Sequence, residues 1–593
     1  MGDTGAMNTP TADTRSITHV RQFLSDCWRL AKPYWSSEDR WPARGLLAVV
    51  VAMNLGLVYI NVLLNKWQNT FFNAIQEKNA EVFFRQLWVF TGLALAFIAV
   101  AVYQLYLNQM LQIRWRRWLT DRYLNAWLHD RTYYRMQILG GETDNPDQRI
   151  AEDVRLFVAR SLSLSLQFLS AGTTLVSFVG ILWVLSGSIT LPWLGWTVAG
   201  YMVWAALLYS IVGTWLTEKV GRRLVDLEFD QQRYEADFRF ALVRFRENTE
   251  GVALYRGERD ELERFRTRFA RVVANWWDIM RVQKRLTGFT VGFGQLAVIF
   301  PFMVAGPRFF RGEIALGGLM QTAQAFGQVQ NALSLIVDYQ LYPQLAEWRA
   351  VVNRLVGFEA AMAHARPVPG VGHIERRHGA EGISLEGVDV NLPDGQPLLQ
   401  GAKTRINHGE SVLVAGPSGA GKSTLFRAIA GIWPFGGGRI TVPPDARVLF
   451  LPQKPYLPIG SLREVVTYPM PATGFSDEAL REALEVVGLP KLVTRLDETA
   501  NWALQLSPGE QQRIAFARAL IQKPDWLFLD EATSAVDETV EQRLYALVKE
   551  RLPETTVLSI GHRPTLGAFH DRRLVVMPHG DRAASLEDVP AAV

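Results

Sequence analysis

The sequence predicts a membrane α-helical domain of six spans fused to a cytoplasmic α/β domain of the P-loop type. Three observations carry that class. Five stretches, 45–65, 86–113, 161–217, 286–307 and 314–337, contain no Asp, Glu, Lys or Arg, and about 20 such residues make a helix long enough to cross a bilayer. Inside the third, Ser186-Gly-Ser-Ile-Thr-Leu-Pro192 has the Gly and Pro of a tight turn, so that stretch crosses twice. Second, Ser411-Val-Leu-Val-Ala is followed by GxxxxGKS, with Gly416, Gly421, Lys422 and Ser423 at the fixed positions; this reads as strand, phosphate loop and helix start. Third, the residues beyond 383 alternate short strand-like and helix-like runs.

In chain order, residues 1–14 are small and polar and are expected to be disordered. From Ile17, apolar residues recur at helical spacing (Val20, Phe23, Leu24, Cys27, Leu30) until Pro33-Tyr-Trp ends the run; such a helix lies in the membrane interface or packs on the protein itself. Spans one, two and six carry amides on one face: Asn54, Asn61, Asn65 and Gln68; Gln104, Asn108 and Gln112; Gln321, Gln324, Gln328 and Asn331. Interhelical hydrogen bonds account for any one of these stripes, whereas the three together favour a water-filled cavity. The segments 108–160 and 218–285 are Arg-rich. The positive-inside rule therefore places them, and both chain ends, in the cytoplasm. Each reads as long helices broken once, at Gly140-Gly-Glu-Thr-Asp-Asn-Pro146 and within 248–257. Pro and Gly recur over 357–382, a linker. The expected organisation is a tail and interfacial helix over 1–40, a membrane domain over 41–356, the linker over 357–382, and the nucleotide-binding domain over 383–593.

A net charge of +4 is too small to argue for nucleic acid. The single cysteine, Cys27, excludes an intrachain disulfide and a multi-Cys metal site, and reads as a small buried apolar residue. The first apolar run starts too late and is too long for the core of a cleavable signal peptide. The spans themselves are expected to hold the chain in the lipid bilayer.

The loop Gly416, Pro417, Ser418, Gly419, Ala420, Gly421, Lys422, Ser423, Thr424 has the residue types that ATP requires. Its glycines let backbone N–H groups turn inward around a triphosphate, and the following helix points its positive end at the same anion. Lys422 reaches the β- and γ-phosphates, and the Ser423 hydroxyl suits Mg²⁺, a hard cation that wants oxygen ligands.

Further motifs follow in a fixed order, and through them the C-terminal part resembles the ATP-binding cassette family. Gln453 in Leu-Pro-Gln-Lys-Pro is similar to that family's Q-loop glutamine, which contacts Mg²⁺ and the attacking water. Leu506-Ser-Pro-Gly-Glu510 resembles the signature motif, whose Ser507 and Gly509 would face ATP held by a partner subunit. Leu527-Phe-Leu-Asp-Glu531 resembles the Walker B strand, with Asp530 toward the metal and Glu531 polarising the water. Ser534-Ala-Val-Asp537 resembles the D-loop, and His562 the switch histidine that senses the γ-phosphate. Two departures stand out. Pro508 and Glu510 replace the commonest Gly and Gln, and Leu392 stands where an aromatic usually stacks on adenine.

Asn145-Pro-Asp-Gln-Arg-Ile-Ala-Glu-Asp153, Glu235-Ala-Asp-Phe-Arg-Phe and Leu316-Gly-Gly-Leu-Met-Gln in the membrane half, with Gly561-His-Arg-Pro-Thr-Leu566 beyond it, resemble the SbmA/BacA-like bacterial transporters with fused ATPase. The chain also resembles the peroxisomal acyl-CoA half-transporters, which share the first two stretches. The resemblance implies an exporter-type fold and a half-transporter that works as a homodimer. It also implies uptake of bulky hydrophilic solutes, such as cobalamin, peptides or glycopeptides, across the bacterial inner membrane. The alternatives are a lipid, fatty-acyl or drug exporter of the same architecture, and a membrane-anchored ATPase that moves no solute.

Overall fold

The computed structural model describes residues 12–139, 145–190, 197–335, 341–365, 373–379, 382–444, 446–579 and 582–590. It divides into two compact units, one formed by 1–126 with 144–360 and the other by 127–143 with 361–593. Residues 1–11 of the stretch expected to be disordered, and most of the break at 140–146, lie outside the described residues, while 12–14 belong to the first helix.

The first unit is helical. Its principal helices are α1 (Ala12–Trp35), α2 (Arg40–Gln76), α3 (Ala80–Leu128), α4 (Val154–Ser186), α5 (Tyr201–Glu247), α6 (Glu258–Phe310), α7 (Leu316–Leu335) and α8 (Leu341–His364). Four helical stretches, Arg40–Gln76, Ala80–Ile138, Pro146–Ser186 and Glu258–Phe310, are long and apolar enough to cross a membrane. The other two stretches read as spans from the sequence fall in the first half of α5 and in α7, where Trp, Tyr and Gly in one, and Gln and Asn in the other, lower the hydropathy. Leu95, Ile98, Val102, Leu208, Ile211, Val298 and Met303 stand exposed on the outer faces. In water such a surface would be an association hazard, and in a bilayer it is the ordinary lipid-facing side.

The turn between α4 and α5 is a short antiparallel hairpin, Ser188–Thr190 against Thr197–Ala199, closed by Gly200 at φ +64. A Cβ on Gly200 would lie 2.4 Å from the Trp183 ring, so the position is fixed by space as well as by conformation. At the break after α5, a separate short helix, Thr249–Tyr255, sits between α5 and α6 as expected.

Buried side chains from α4, α5 and α7, including Phe178, Leu182, Met202 and Phe326, form the core of this unit. A second contact is polar. Asn65 of α2 donates to Gln324 Oε1 at 2.7 Å and to the Gln321 carbonyl at 3.0 Å. Gln321 donates back to Asn65 Oδ1 at 3.1 Å, and Asn69 donates to Gln321 Oε1 at 2.7 Å. One turn on, Asn73 Oδ1 accepts the Gly317 N–H, and Gly317 lies so close that a Cβ would meet the Asn69 carbonyl at 2.0 Å. The amides Asn65, Gln321 and Gln324, expected to line a wet cavity, therefore form a ladder between α2 and α7. The bland reading holds for these three, because Asn65 is fully buried and an amide in that position needs partners of its own.

The motif from Asn145 to Asp153 ends in a buried ion cluster. Arg149 Nη1 lies 2.6 Å from Asp153 Oδ2, and Arg354 of α8 makes a two-pronged contact with the same carboxylate at 2.6 and 2.9 Å. It ties the N-terminal end of the third span to α8.

The second unit is built on a ten-stranded sheet. Its strands are β1 (Glu375–His378), β2 (Ile383–Asn391), β3 (Pro397–Ile406), β4 (Ser411–Ala415), β5 (Gly436–Val442), β6 (Val448–Leu451), β7 (Trp526–Asp530), β8 (Thr556–Ile560), β9 (Arg572–His579) and β10 (Arg582–Pro590), in the order β1-β5-β2-β3-β10-β9-β4-β8-β7-β6. From β9 to β6 every pairing is parallel. β7 and β8 are buried along nearly their whole length, as strands covered on both faces must be.

The linker expected over 357–382 is corrected at both ends. The helix α8 continues to His364, and Glu375–His378 is strand β1, paired with β5 at the sheet edge. An exposed ERRH strand has no buried alternation by which a sequence pattern could reveal it.

Candidate ATP site

Four neighbouring parallel strands, β4, β8, β7 and β6, end on the same side of the sheet, and the carboxyl ends of such strands are where α/β folds place their ligands. The phosphate loop follows β4 and leads into the helix α9 (Lys422–Ile429). Asp530 ends β7 with Glu531 next to it, His562 follows β8, and Gln453 follows β6. Residues far apart in sequence are thus brought to one rim by the order of the strands.

Within the loop, Gly416 has φ +142, and a Cβ there would lie 2.6 Å from the Val576 carbonyl of β9. Gly421, the residue that opens α9, has φ +92. Neither position tolerates a side chain without strain. Lys422 is buried, and its Nζ donates to the carbonyls of Gly416 and Pro417 at 2.9 and 2.8 Å, which holds the ammonium over the loop. Burial lowers its pKa, while Glu531 and Asp530 raise it. The Ser423 hydroxyl donates to Asp530 Oδ1 at 2.7 Å. Burial pushes the Asp530 carboxyl above its usual value, partly offset by that hydrogen bond. A hydroxyl and a carboxylate in contact form a pair of hard oxygen donors that fits Mg²⁺ carried by a nucleotide.

Glu531 itself adopts a left-handed backbone, φ +49, unusual for a residue with a side chain. Its N–H donates to the Ile560 carbonyl at 3.0 Å. The carboxylate is gripped from two sides: Gln453 Nε2 donates to Oε2 at 3.0 Å, and His562 Nε2 lies 3.1 Å from Oε1. Gln453, Glu531 and His562 therefore act on one point, and a carboxylate so oriented can polarise a water attacking a γ-phosphate.

The signature residues lie at the start of α10 (Pro508–Gln522). Ser507 is the N-cap, and Glu510 closes a reciprocal box: its carboxylate accepts from the Ser507 N–H at 2.9 Å and from the Ser507 hydroxyl at 2.8 Å. Pro508 occupies the first helical position, where no N–H is needed. Both departures from the commonest signature thus have a local structural reason. Gly509 packs against the D-loop, a Cβ there falling 2.8 Å from the Ala535 carbonyl. Leu392, in the place of an adenine-stacking aromatic, packs against the core of the sheet unit.

One residue escaped the motif reading. Gln512, 2% exposed, donates from Nε2 to the Gln453 carbonyl at 2.9 Å and to Ser534 Oγ at 3.1 Å, while its Oε1 accepts the Ala535 N–H at 2.9 Å. A single buried amide on the signature helix braces the Q-loop and the D-loop. The sequence offers only its place, two residues past the signature.

Comparison with known proteins agrees with this architecture. Residues 30–310 match the family described as ABC transporter transmembrane region 2, and residues 399–534 match the family described as ABC transporter. The inner membrane ABC transporter ATP-binding protein YddA of Escherichia coli is 36% identical over 92% of this chain and 96% of its own length. The chain belongs to the ABC transporter family. It couples an ATPase to transport, with the membrane and ATPase parts fused in one polypeptide. The transporter is also similar to ABC transporter D family member 2, chloroplastic, of Arabidopsis thaliana, at 32% identity over 98% of the chain and 90% of that protein. The human lysosomal cobalamin transporter ABCD4 is 28% identical, with 95% of each chain covered. Among solved structures, a bacterial Atm1-family ABC exporter with ATP bound superposes with a TM-score of 0.66 at 18% identity, covering 92% of this chain and 95% of that one. The transporter therefore has the exporter-type fold.

Proposed function

We propose that this transporter is a homodimeric, SbmA/BacA-like importer that carries bulky hydrophilic solutes of the cobalamin, peptide or glycopeptide kind across a bacterial inner membrane, with both chain ends in the cytoplasm. The observation that carries the solute class is polar. The amide oxygens of Asn54 and Asn108 are buried in the spans with no hydrogen-bond partner among the described residues. An unmet amide costs about 1–3 kcal/mol, so these faces call for water or a polar guest rather than acyl chains. The cobalamin transporter among the relatives points the same way. Accumulation of cobalamin in inside-out and right-side-out vesicles tests both solute and direction. Accumulation in neither, with acyl or lipid substrates stimulating the ATPase instead, would favour the lipid exporter.

In the reaction we assign Lys422 and the loop from Gly416 to Thr424 to the triphosphate, and Ser423, Asp530 and Gln453 to Mg²⁺. Glu531 polarises the water, His562 meets the γ-phosphate, and Ser507 and Gly509 face the partner's ATP. The grip of Gln453 and His562 on Glu531 supports this assignment. Replacing Glu531→Gln is expected to leave ATP binding intact and to cut hydrolysis at least about a hundredfold. Near-normal turnover would remove Glu531 from the role.

A further inference from the structure

The described residues of the ATPase unit line a partly open cavity of about 610 Å³ that none of residues 416–421 borders. It follows one face of α9, where Ser423, Phe426, Arg427 and Ala430 succeed each other at helical spacing, and shares only Ser423 and Asp530 with the ATP site. Val448 and Phe450 of β6 form the facing wall, and Tyr134 of the short helix Thr132–Ile138 lines it as well. Much of this lining is carbon, and the volume falls within the range of small-molecule sites.

Three guanidiniums from three separate elements reach the cavity, those of Arg131, Arg376 and Arg427. Arg131 Nη1 and Arg376 Nη1 both donate to the Ala430 carbonyl, at 2.9 and 3.2 Å. That carbonyl lies at the C-terminal end of α9, whose negative dipole end attracts cations. One carbonyl meets two N–H groups, however, and each guanidinium carries five. Glu375, next in sequence to Arg376, is taken up by Arg377 and Arg439. No carboxylate lies within salt-bridge distance of the three arginines among the described residues. Burial and the neighbouring Arg131 hold the Arg376 pKa below its usual value. Gly431 completes the arrangement: it has φ +73, and a Cβ would fall 2.2 Å from Arg376 Nη1. Asp530, which lines the same cavity, attracts Arg427, but Arg131 and Arg376 have no such counter-charge among the described residues; like charges so gathered repel one another, and a multiply charged anion relieves that repulsion while accepting forked hydrogen bonds.

We propose that this cavity is a second anion site, taking a phosphate ester with an apolar or ring-shaped part, separate from the ATP on the phosphate loop. The phosphate meets Arg131, Arg376 and Arg427, and the apolar part lies on Phe426, Val448 and Phe450. An occupant touches both the Walker helix and the residues beside Thr132–Ile138, so it can bias the ATPase without entering the catalytic site.

The test uses the full-length transporter in nanodiscs, its phosphate loops saturated with a non-hydrolysable ATP analogue and Mg²⁺, titrated calorimetrically with 1-naphthyl phosphate. Binding is expected under saturation, at least about tenfold tighter than that of inorganic phosphate, because the carbon wall is used. The double variant Arg131→Gln, Arg376→Gln should weaken it at least about tenfold, with thermal unfolding and basal ATPase activity within about twofold of the parent. Gly431→Ala, which displaces the Arg376 guanidinium while keeping its charge, should weaken it as well. Competition by dihexanoyl phosphatidate or by ribose 5-phosphate distinguishes a lipid from a sugar-phosphate source. The proposal is overturned if the ATP analogue abolishes naphthyl phosphate binding, or if the double variant binds it unchanged.

Discussion

At Ser507 the hydroxyl proton is donated to Glu510 inside the capping box, so the side chain proposed to face a partner's ATP is already engaged, and by an anion. The box holds the Glu510 carboxyl below its usual pKa, chiefly through the Ser507 N–H, so it stays ionised at neutral pH. A carboxylate there opposes the approach of a triphosphate. Glu510→Gln keeps an acceptor for the cap and removes the charge. We expect KM for ATP to fall by roughly fivefold at low ionic strength, about 1 kcal/mol, and the effect to shrink in high salt. Steady-state ATPase kinetics at two salt concentrations would check it, and a KM that rises or does not move would show that charge at this position is not felt by the nucleotide. The residues that carry this argument were legible as a motif from their order alone. Their local role was not, because a box of this kind looks the same at any helix start; Ser461 and Glu464 form another at the helix Leu462–Thr467.

Helices and strands were legible where burial imposes a pattern. The strands β4 and β7 are short apolar runs that lead into candidate site residues, and the breaks near 187 and 248–257 fall at turn-forming or helix-ending residues. Legibility failed where burial is absent or indirect: the exposed strand Glu375–His378 and the continuation of α8 to His364 both fell inside an expected linker. It failed also at Gln512, since a glutamine in a helix is ordinarily a solvated side chain and only the fold shows two loops closing on it. Through this brace, movement of α10 reaches Gln453 and hence the carboxylate of Glu531. Gln512→Met removes all three hydrogen bonds at nearly constant shape. The expected result is a fall in kcat of about tenfold, with KM for ATP within about twofold, because the phosphate loop is untouched while Glu531, the group proposed to polarise the water, loses its support. Ser534→Ala, which removes one exposed arm of the brace, should give a smaller loss of the same kind. If kcat and KM change together in Gln512→Met, or if kcat is unaffected, the brace does not position the site.

At the scale of the whole molecule, the question is which amides serve the packing of the membrane helices and which serve a solute. The ladder of Asn65, Asn69, Gln321 and Gln324 answers for part of the stripes. Gln328 and Asn331 stand one and two turns further along α7, beyond it, and Asn331 is exposed. The two groups should therefore separate by experiment. Gln321→Leu leaves Asn65 Oδ1 and Asn69 Nδ2 without their side-chain partner, and an unmet buried amide group costs about 1–3 kcal/mol, so the variant should lower the thermal unfolding temperature and reduce every activity together. Gln328→Leu with Asn331→Leu leaves the ladder intact. It should keep unfolding temperature and basal ATPase near those of the parent, while solute accumulation in vesicles falls roughly tenfold, because a dry wall raises the cost of admitting a hydrated molecule. Thiol labelling of cysteines placed at 328 and 331 gives an independent reading: a membrane-impermeant reagent reaches them only if they face water. If the double variant accumulates cobalamin at the parent rate, or if only lipid-soluble reagents label those two positions, the amides of α7 have no role beyond helix packing and the hydrophilic path must be sought along the faces of Asn54 and Asn108 instead.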